Sequence, residues 1–260
     1  VPDAFYEPDG DHFVSSELTR GPWDPNSQHA GPPAALIGRQ VELHPGIEGG
    51  QVGRMTFDIV RPVPIARLRV EVETLRPGRS VELLGARLLD DDDRELVRAT
   101  AWRLRTEQVD IPDDLPRPPV PQAPGESEAK DFFPTGQSVG YHTAMEYRVV
   151  KGGFLELGPA TVWMRMRQPL VAGEEPSPLA RVLTAADSGN GVSSTLDFRT
   201  HVFINVDLTV HLHRMPEGEW ICLDALTIPE ANGIGISDTA LHDERGSIGR
   251  AMQTLLIGTR

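Results

Sequence analysis

Residues 177–191 read SPLARVLTAADSGNG, and the rest of the chain is parsed from this stretch outward. Ser177 followed by Pro178 is an N-cap followed by a proline at the first helical position, where the missing N–H is not needed. Leu179, Val182, Leu183 and Ala186 then recur at i, i+3, i+4 and i+7, which is one face of an amphipathic helix. The helix runs into Gly189 and Gly191. Three strand-like runs follow it: FINVDLTVHLHR (203–214), EWICLDALTI (219–228) and IGRAMQTLLI (248–257), the last entered through the turn HDERGS.

The first part of the chain repeats this order. QHAGPPAALIGRQVELHPG (28–46) reads as a helix opened by Pro32 and Pro33, striped by Leu36, Ile37 and Val41, and stopped at Pro45-Gly46. Leu68, Val70 and Val72 then alternate with Arg69, Glu71 and Glu73, the period of a strand with one buried face. VELLGARLLD (81–90) and LVRATAWRLR (96–105) are two further strands around the acidic turn DDDRE. Arg98-Ala99-Thr100-Ala101 matches Arg250-Ala251-Met252-Gln253 at an offset of 152, and Arg61 matches Arg214 with one residue of slack. Each half is thus a helix followed by three long strands, preceded by one or two short ones, as a duplication would give.

Between the halves, residues 106–130 carry six prolines and six acidic residues with almost no apolar periodicity. Prolines at that density remove backbone donors and favour extended geometry. The expected division is a unit over 1–105, a linker over 106–130 and a second unit over 131–260. A single helix in each half must cover one face of a long antiparallel sheet, and a sheet wrapped around that helix is the simplest solution. The predicted class is α+β, a double hotdog.

Composition narrows the function. The 260 residues contain 25 Lys+Arg and 38 Asp+Glu, a formal charge of −13, where a general nucleic-acid binder needs a basic stripe. One cysteine, Cys222, excludes an internal disulfide framework and a cysteine-based zinc site. No apolar run reaches the roughly 18–20 residues that span a bilayer, and the acidic N-terminus lacks the basic-then-apolar order of a signal peptide. These features set the expectation of a soluble, cytoplasmic protein and leave homo-oligomerisation open. No P-loop, dinucleotide fingerprint or GxSxG elbow is present, so no cofactor is expected. His211 and His213 sit at i, i+2 without a third ligand in a recognisable motif, so no metal is expected either. Met164 and Met166 read as core or tunnel lining.

RGPWDPNSQHAGPPAALIGR (20–39), followed by a strand containing FDIVRPVP, resembles the actinobacterial thioesterase-like proteins, relatives of the medium-chain acyl-CoA thioesterase II family. The second half is similar to that family's catalytic half through LTAADSGNG, VDLTVHLHR and the closing strand with Gln253. The resemblance implies hydrolysis of a fatty acyl-CoA to free acid and CoA by an activated water. Its water-activating trio maps onto Asp187, onto Gln253 and, at the hydroxyl position, onto Asn205, a departure from the family's Thr or Ser. Thr209 lies on the same nominal strand face as Asn205, so a shift of register could supply the hydroxyl instead. His29 and Gly31 precede a helix whose free N–H groups could polarise a thioester carbonyl, with Gly31 allowing close backbone approach. Two other readings stay open: a protein that holds acyl-CoA without cleaving it, and a hydratase built on Asp207 and His211. The hotdog hydratases' Asp-x-Asn-Pro-x-His pattern is absent. Ala101 stands opposite Gln253 in the repeat, and Leu43-His44-Pro45 offers no Asp, so one site per chain is expected, in the second half.

Overall fold

The computed structural model describes residues 2–260 apart from 113, 131 and 133. Residue 113 of the predicted linker, and residues 1 and 131 at the predicted unit boundaries, lie outside the described residues. The first half runs β1 (Tyr6–Asp9), β2 (His12–Ser15), α1 (Gly31–Leu43), β3 (Gly50–Ile59), β4 (Arg67–Arg76), β5 (Val81–Asp90) and β6 (Glu95–Arg105). The second runs β7 (Glu128–Ala129), α2 (Tyr141–Ala144), β8 (Met145–Lys151), β9 (Ala160–Met166), α3 (Pro178–Ala186) and α4 (Gly189–Val192). It closes with β10 (His201–Asn205), β11 (Asp207–Leu212), β12 (Ile221–Pro229), β13 (Ile234–Asp243) and β14 (Gly246–Thr259).

All described strands join one sheet in the order β1-β2-β4-β5-β6-β3-β11-β14-β13-β12-β9-β8-β7, with β10 also on β14. The halves meet where β3 pairs antiparallel with β11, Thr56 opposite Thr209. Both α1 and α3 lie against the inner face of this sheet, and their apolar stripes (Leu36, Ile37 and Val41; Leu179, Val182 and Leu183) are buried in one shared core. Met164 is buried in that core, and Met166 is partly buried against it. This is the double hotdog, an α+β fold.

The helices pack antiparallel and very close. A Cβ on Gly31 would collide with the Thr184 carbonyl oxygen, and one on Gly38 with the Leu183 side chain. The Ser177 hydroxyl donates to Glu42 Oε2 at 2.6 Å, tying the start of α3 to the end of α1. The start of α1 is therefore fixed beside the end of α3, which is what builds the site.

The structure refines the strand readings at three places. Four long strands follow α1: the three read from alternation and, before them, β3, which contains the FDI of the strand expected from the family resemblance. β13 (Ile234–Asp243) lies between the strand-like runs 219–228 and 248–257 and adds a strand to them. FINVDLTVHLHR is two strands, β10 and β11, separated at Val206. Among the described residues of 106–127, the helix or strand element is a short 3-10 turn at Pro124–Glu126, and the Trp163 indole pins the segment by donating to the Gln122 carbonyl at 2.8 Å.

Candidate active site

Asp187 ends α3 as its C-cap residue, at 5 % exposure. A carboxylate there is opposed by the negative end of the helix dipole, so it needs donors from elsewhere. Asn205 Nδ2 donates to Asp187 Oδ1 at 2.8 Å, and Gln253 Nε2 donates to the same oxygen at 3.1 Å. Gln253 Nε2 also donates to the Asp187 carbonyl at 3.0 Å, while its Oε1 accepts the Asn190 N–H at 3.1 Å. The Gln253 amide is thus used up in holding Asp187 and the first turn of α4.

The choice between Asn205 and Thr209 is made by one extra residue. Asn205 pairs with Leu255 on β14, whereas Thr209 pairs with Met252, so the register slips by one at Val206. Side chains alternate with period two, and a one-residue slip sends everything beyond it to the other face. Asn205 therefore points inward to Asp187, while Thr209 contacts Thr56 Oγ1 at 3.3 Å on the outer face. The expected alternative hydroxyl is excluded from the site. Asp207 follows Thr209 outward, where its Oδ1 accepts the Thr254 N–H, and His211 is exposed on the same side. Neither residue lines the cleft beside Asp187.

The first half supplies the facing wall. His29 Nδ1 lies 3.1 Å from Asp187 Oδ2 and accepts the Gly31 N–H at 3.1 Å. The Gly31 N–H calls for a bare Nδ1 and the Asp187 carboxylate for a protonated one, so the two neighbours compete for the same ring nitrogen. Burial pushes the His29 imidazole below its usual range, against the pull of the Asp187 charge, so the ring is neutral near pH 7. Tyr141 stacks on it at 3.7 Å with a 6° interplanar angle, and its hydroxyl donates to the Thr184 carbonyl at 2.7 Å. Burial also raises the Tyr141 phenol far above its ordinary value, keeping that donor protonated.

These groups border a cleft of about 390 Å³. His29, Ala30, Asp187 and Asn205 form its polar end; Trp23, Val63, Phe132 and Phe154 are among its apolar walls. Gly31 does not line it, and its missing Cβ makes room for the Thr184 carbonyl, not for a ligand. Ala30, the N-cap of α1, holds the lining position expected of Gly31. Pro32 and Pro33 have no N–H, which leaves few donors at this helix start. Sequence reasoning missed Tyr141 and Asn190; the second adjoins Asp187 in DSGNG and was legible there, while the first lies in a segment with no periodic signal.

The fold defines a double-hotdog protein, and a polar centre lies at the end of the second half's helix. A family profile described as the acyl-CoA thioesterase C-terminal domain matches residues 112–257, and one described as the N-terminal domain matches residues 19–104. The chain belongs to this acyl-CoA thioesterase family. A hot dog fold protein of unknown function from Alicyclobacillus acidocaldarius superposes with TM-score 0.75 at 17% identity, over 99% of this chain and 97% of that one. Acyl-CoA thioesterase II TesB2 from Mycobacterium marinum gives TM-score 0.65 at 14% identity, over 97% and 93% of the two chains. A tesB protein from Mycobacterium avium subs paratuberculosis gives 0.63 at 18%, over 97% and 95%. At these identities the superpositions speak for the fold. No curated protein matches the chain in sequence.

Proposed function

We propose that the chain hydrolyses a fatty acyl-CoA to free acid and CoA, using a water activated by Asp187. The observation that carries this reading is the Asp187 carboxylate itself: buried at the cleft, with Oδ1 fixed by two side-chain amides and Oδ2 turned to a neutral imidazole. Among the described residues no lysine or arginine pairs with it, and a carboxylate within reach of a water is the group that hydrolysis without a nucleophilic side chain needs. Asn205 uses its N–H on Asp187, and its carbonyl oxygen can accept a hydrogen bond from the water. Gln253 acts by positioning, since its amide is already committed.

In the reaction, the water oxygen bonds to the thioester carbon while its proton passes to Asp187. The carbonyl oxygen becomes an oxyanion beside the positive start of α1 at Ala30. Collapse breaks the carbon–sulfur bond, and the CoA thiolate takes the proton back from Asp187. The apolar walls around Trp23 and Phe154 suit the acyl chain.

Thiol release measured across acyl-CoA chain lengths tests this reading, with Asp187→Ala as the control. Binding without thiol release by the native chain would instead support a non-catalytic acyl-CoA-binding protein, the reading that Asn205 in place of a hydroxyl favours.

A further inference from the structure

Acyl transfer through an oxyanion calls for hydrogen-bond donors where the charge forms, and the start of α1 is poor in them. Pro32 and Pro33 carry no N–H, the Gly31 N–H turns to His29 Nδ1 at 3.1 Å, and the Ala34 N–H is bonded to the Ala30 carbonyl at 3.0 Å. The Ala30 N–H is left, and among the described residues no backbone acceptor meets it. One donor at a helix start is a thin cradle for a full negative charge.

Among the described residues, three side-chain amides line the cleft: Gln28, Asn190 and Asn205. Gln28 is tied on both sides, since its Nε2 donates to the Pro64 carbonyl at 2.8 Å and its Oε1 accepts the Tyr6 hydroxyl at 2.6 Å. Asn205 Nδ2 donates to Asp187 Oδ1 at 2.8 Å. Asn190 is the exception. It is 8 % exposed, yet none of the described residues bonds its side-chain amide. A buried amide with no partner is unfavourable, and one that borders a cleft is paired by what enters the cleft.

The place of Asn190 is fixed from its backbone. Its N–H donates to Gln253 Oε1 at 3.1 Å, while Gln253 Nε2 donates to the Asp187 carbonyl at 3.0 Å and to Asp187 Oδ1 at 3.1 Å. One glutamine thus sets Asn190 and Asp187 in a fixed relation. Gly189 tightens it, because a Cβ there would come within 2.5 Å of Thr239 Oγ1, so the first turn of α4 lies close against β13.

We propose that Asn190 is a catalytic residue of the hydrolysis, its Nδ2–H donating to the thioester carbonyl oxygen as a second donor beside the Ala30 N–H. This rests on the thioesterase reading. As the water oxygen bonds to the thioester carbon, the π pair of the carbonyl moves onto its oxygen, which both N–H groups hold. When the pair returns to re-form the carbonyl of the acid, the carbon–sulfur bond breaks and the thiolate leaves; Asn190 keeps its own protons throughout. A neutral amide suits this place, since a lysine or arginine there would pair with the Asp187 carboxylate instead.

Steady-state thiol release by the full chain is the test. Asn190→Leu keeps much of the shape and removes the donor; Asn190→Ala removes it with less bulk, should leucine disturb α4. Circular dichroism reports the folded fraction of each. The expected loss is about 10²–10³ in kcat, the usual effect of one oxyanion donor. KM, and the affinity for an S-alkyl-CoA thioether that has no carbonyl, should stay within about threefold of native. The acid side of the kcat–pH profile should stay where the native chain has it. Native-like kcat in both variants overturns the proposal and leaves the thioesterase reading standing. A loss carried by KM alone would make Asn190 a ground-state contact, and a displaced acid limb would mean that it acts through Asp187; either result overturns the proposal. A native chain that releases no thiol from any acyl-CoA ends the thioesterase reading and this one with it.

Discussion

The C-terminal ends of α1 and α3 hold equivalent places in the two halves, yet one is plugged and the other opens on a cleft. Behind α1, Arg103 donates to the Val41, His44 and Pro45 carbonyls at 3.2, 2.9 and 3.0 Å, and its Nε meets Glu82 at 2.5 Å. Arg103 and Glu82 side chains are 6 and 4 % exposed. Burial works against the Glu82 carboxylate, but the Ile47 N–H and the Arg103 guanidinium outweigh it and hold the group below its usual range. Behind α3, among the described residues, no lysine or arginine pairs with the helix end; an aspartate, an asparagine and a glutamine hold one another instead. A guanidinium is the natural partner for the negative end of a helix, and a carboxylate is not. The first half therefore spends its helix end on stability. The second keeps a carboxylate in an unfavourable place because the start of α1 and His29, both from the other half, lie beside it.

The sharpest break of this comparison is Asp187→Ala. Thiol release should fall about 10²–10⁴-fold, the usual loss for a general base, while Ala101→Gln at the equivalent first-half strand should restore nothing in that variant. Comparable thiol release by Asp187→Ala and the native chain would remove the second half's claim to the site. Arg103→Met should leave the Glu82 charge buried and unpaired, costing about 3–5 kcal/mol in urea unfolding, with kcat unchanged in the folded fraction. Adding Glu82→Leu should recover most of that loss. Equal stability of the single and double variants would mean that the plug is not an ion pair.

Asn205→Thr restores the hydroxyl expected from the family resemblance and should change kcat by less than about tenfold. A larger fall would show that the amide has become indispensable for holding Asp187. The smallest effect separates the halves by pH. An unfolded histidine takes up a proton near pH ~6.5, but the buried His29 does so only at lower pH. The unfolded state therefore binds more protons in that window, and stability falls as pH drops below it. Glu82 is depressed, so its stabilisation is present above the unfolded value of about 4.3 and is lost only as pH falls further. Urea midpoints between pH 6.5 and 5 should fall less steeply in His29→Phe, and those of Glu82→Gln should match the native slope there.

Much of this was legible in the chain itself. Ser177-Pro178 and the spacing of Leu179, Val182, Leu183 and Ala186 define α3, and the Ser177 hydroxyl does accept the Ala180 N–H at 3.1 Å. The offset of 152 put Ala101 opposite Gln253, and those positions do sit on β6 and β14, the last strand of each half. The Arg103–Glu82 plug was not legible. Its partners are 21 residues apart on neighbouring strands, and each reads in the sequence as an ordinary charged residue of a half-solvated strand.

The sequence by itself determined the repeat, the caps of the second helix, the aspartate at its end and the departure at Asn205. Tertiary structure alone decided that Asn205 faces inward and Thr209 outward, that His29 meets Asp187, and that Ala30, not Gly31, borders the cleft. The reason is physical. Periodicity in a sequence records which residues share a face of one element, but not how one element registers against the next. A single extra residue at Val206, and a helix crossing close enough to need glycine at 31 and 38, are set only when the strands pair and the helices dock.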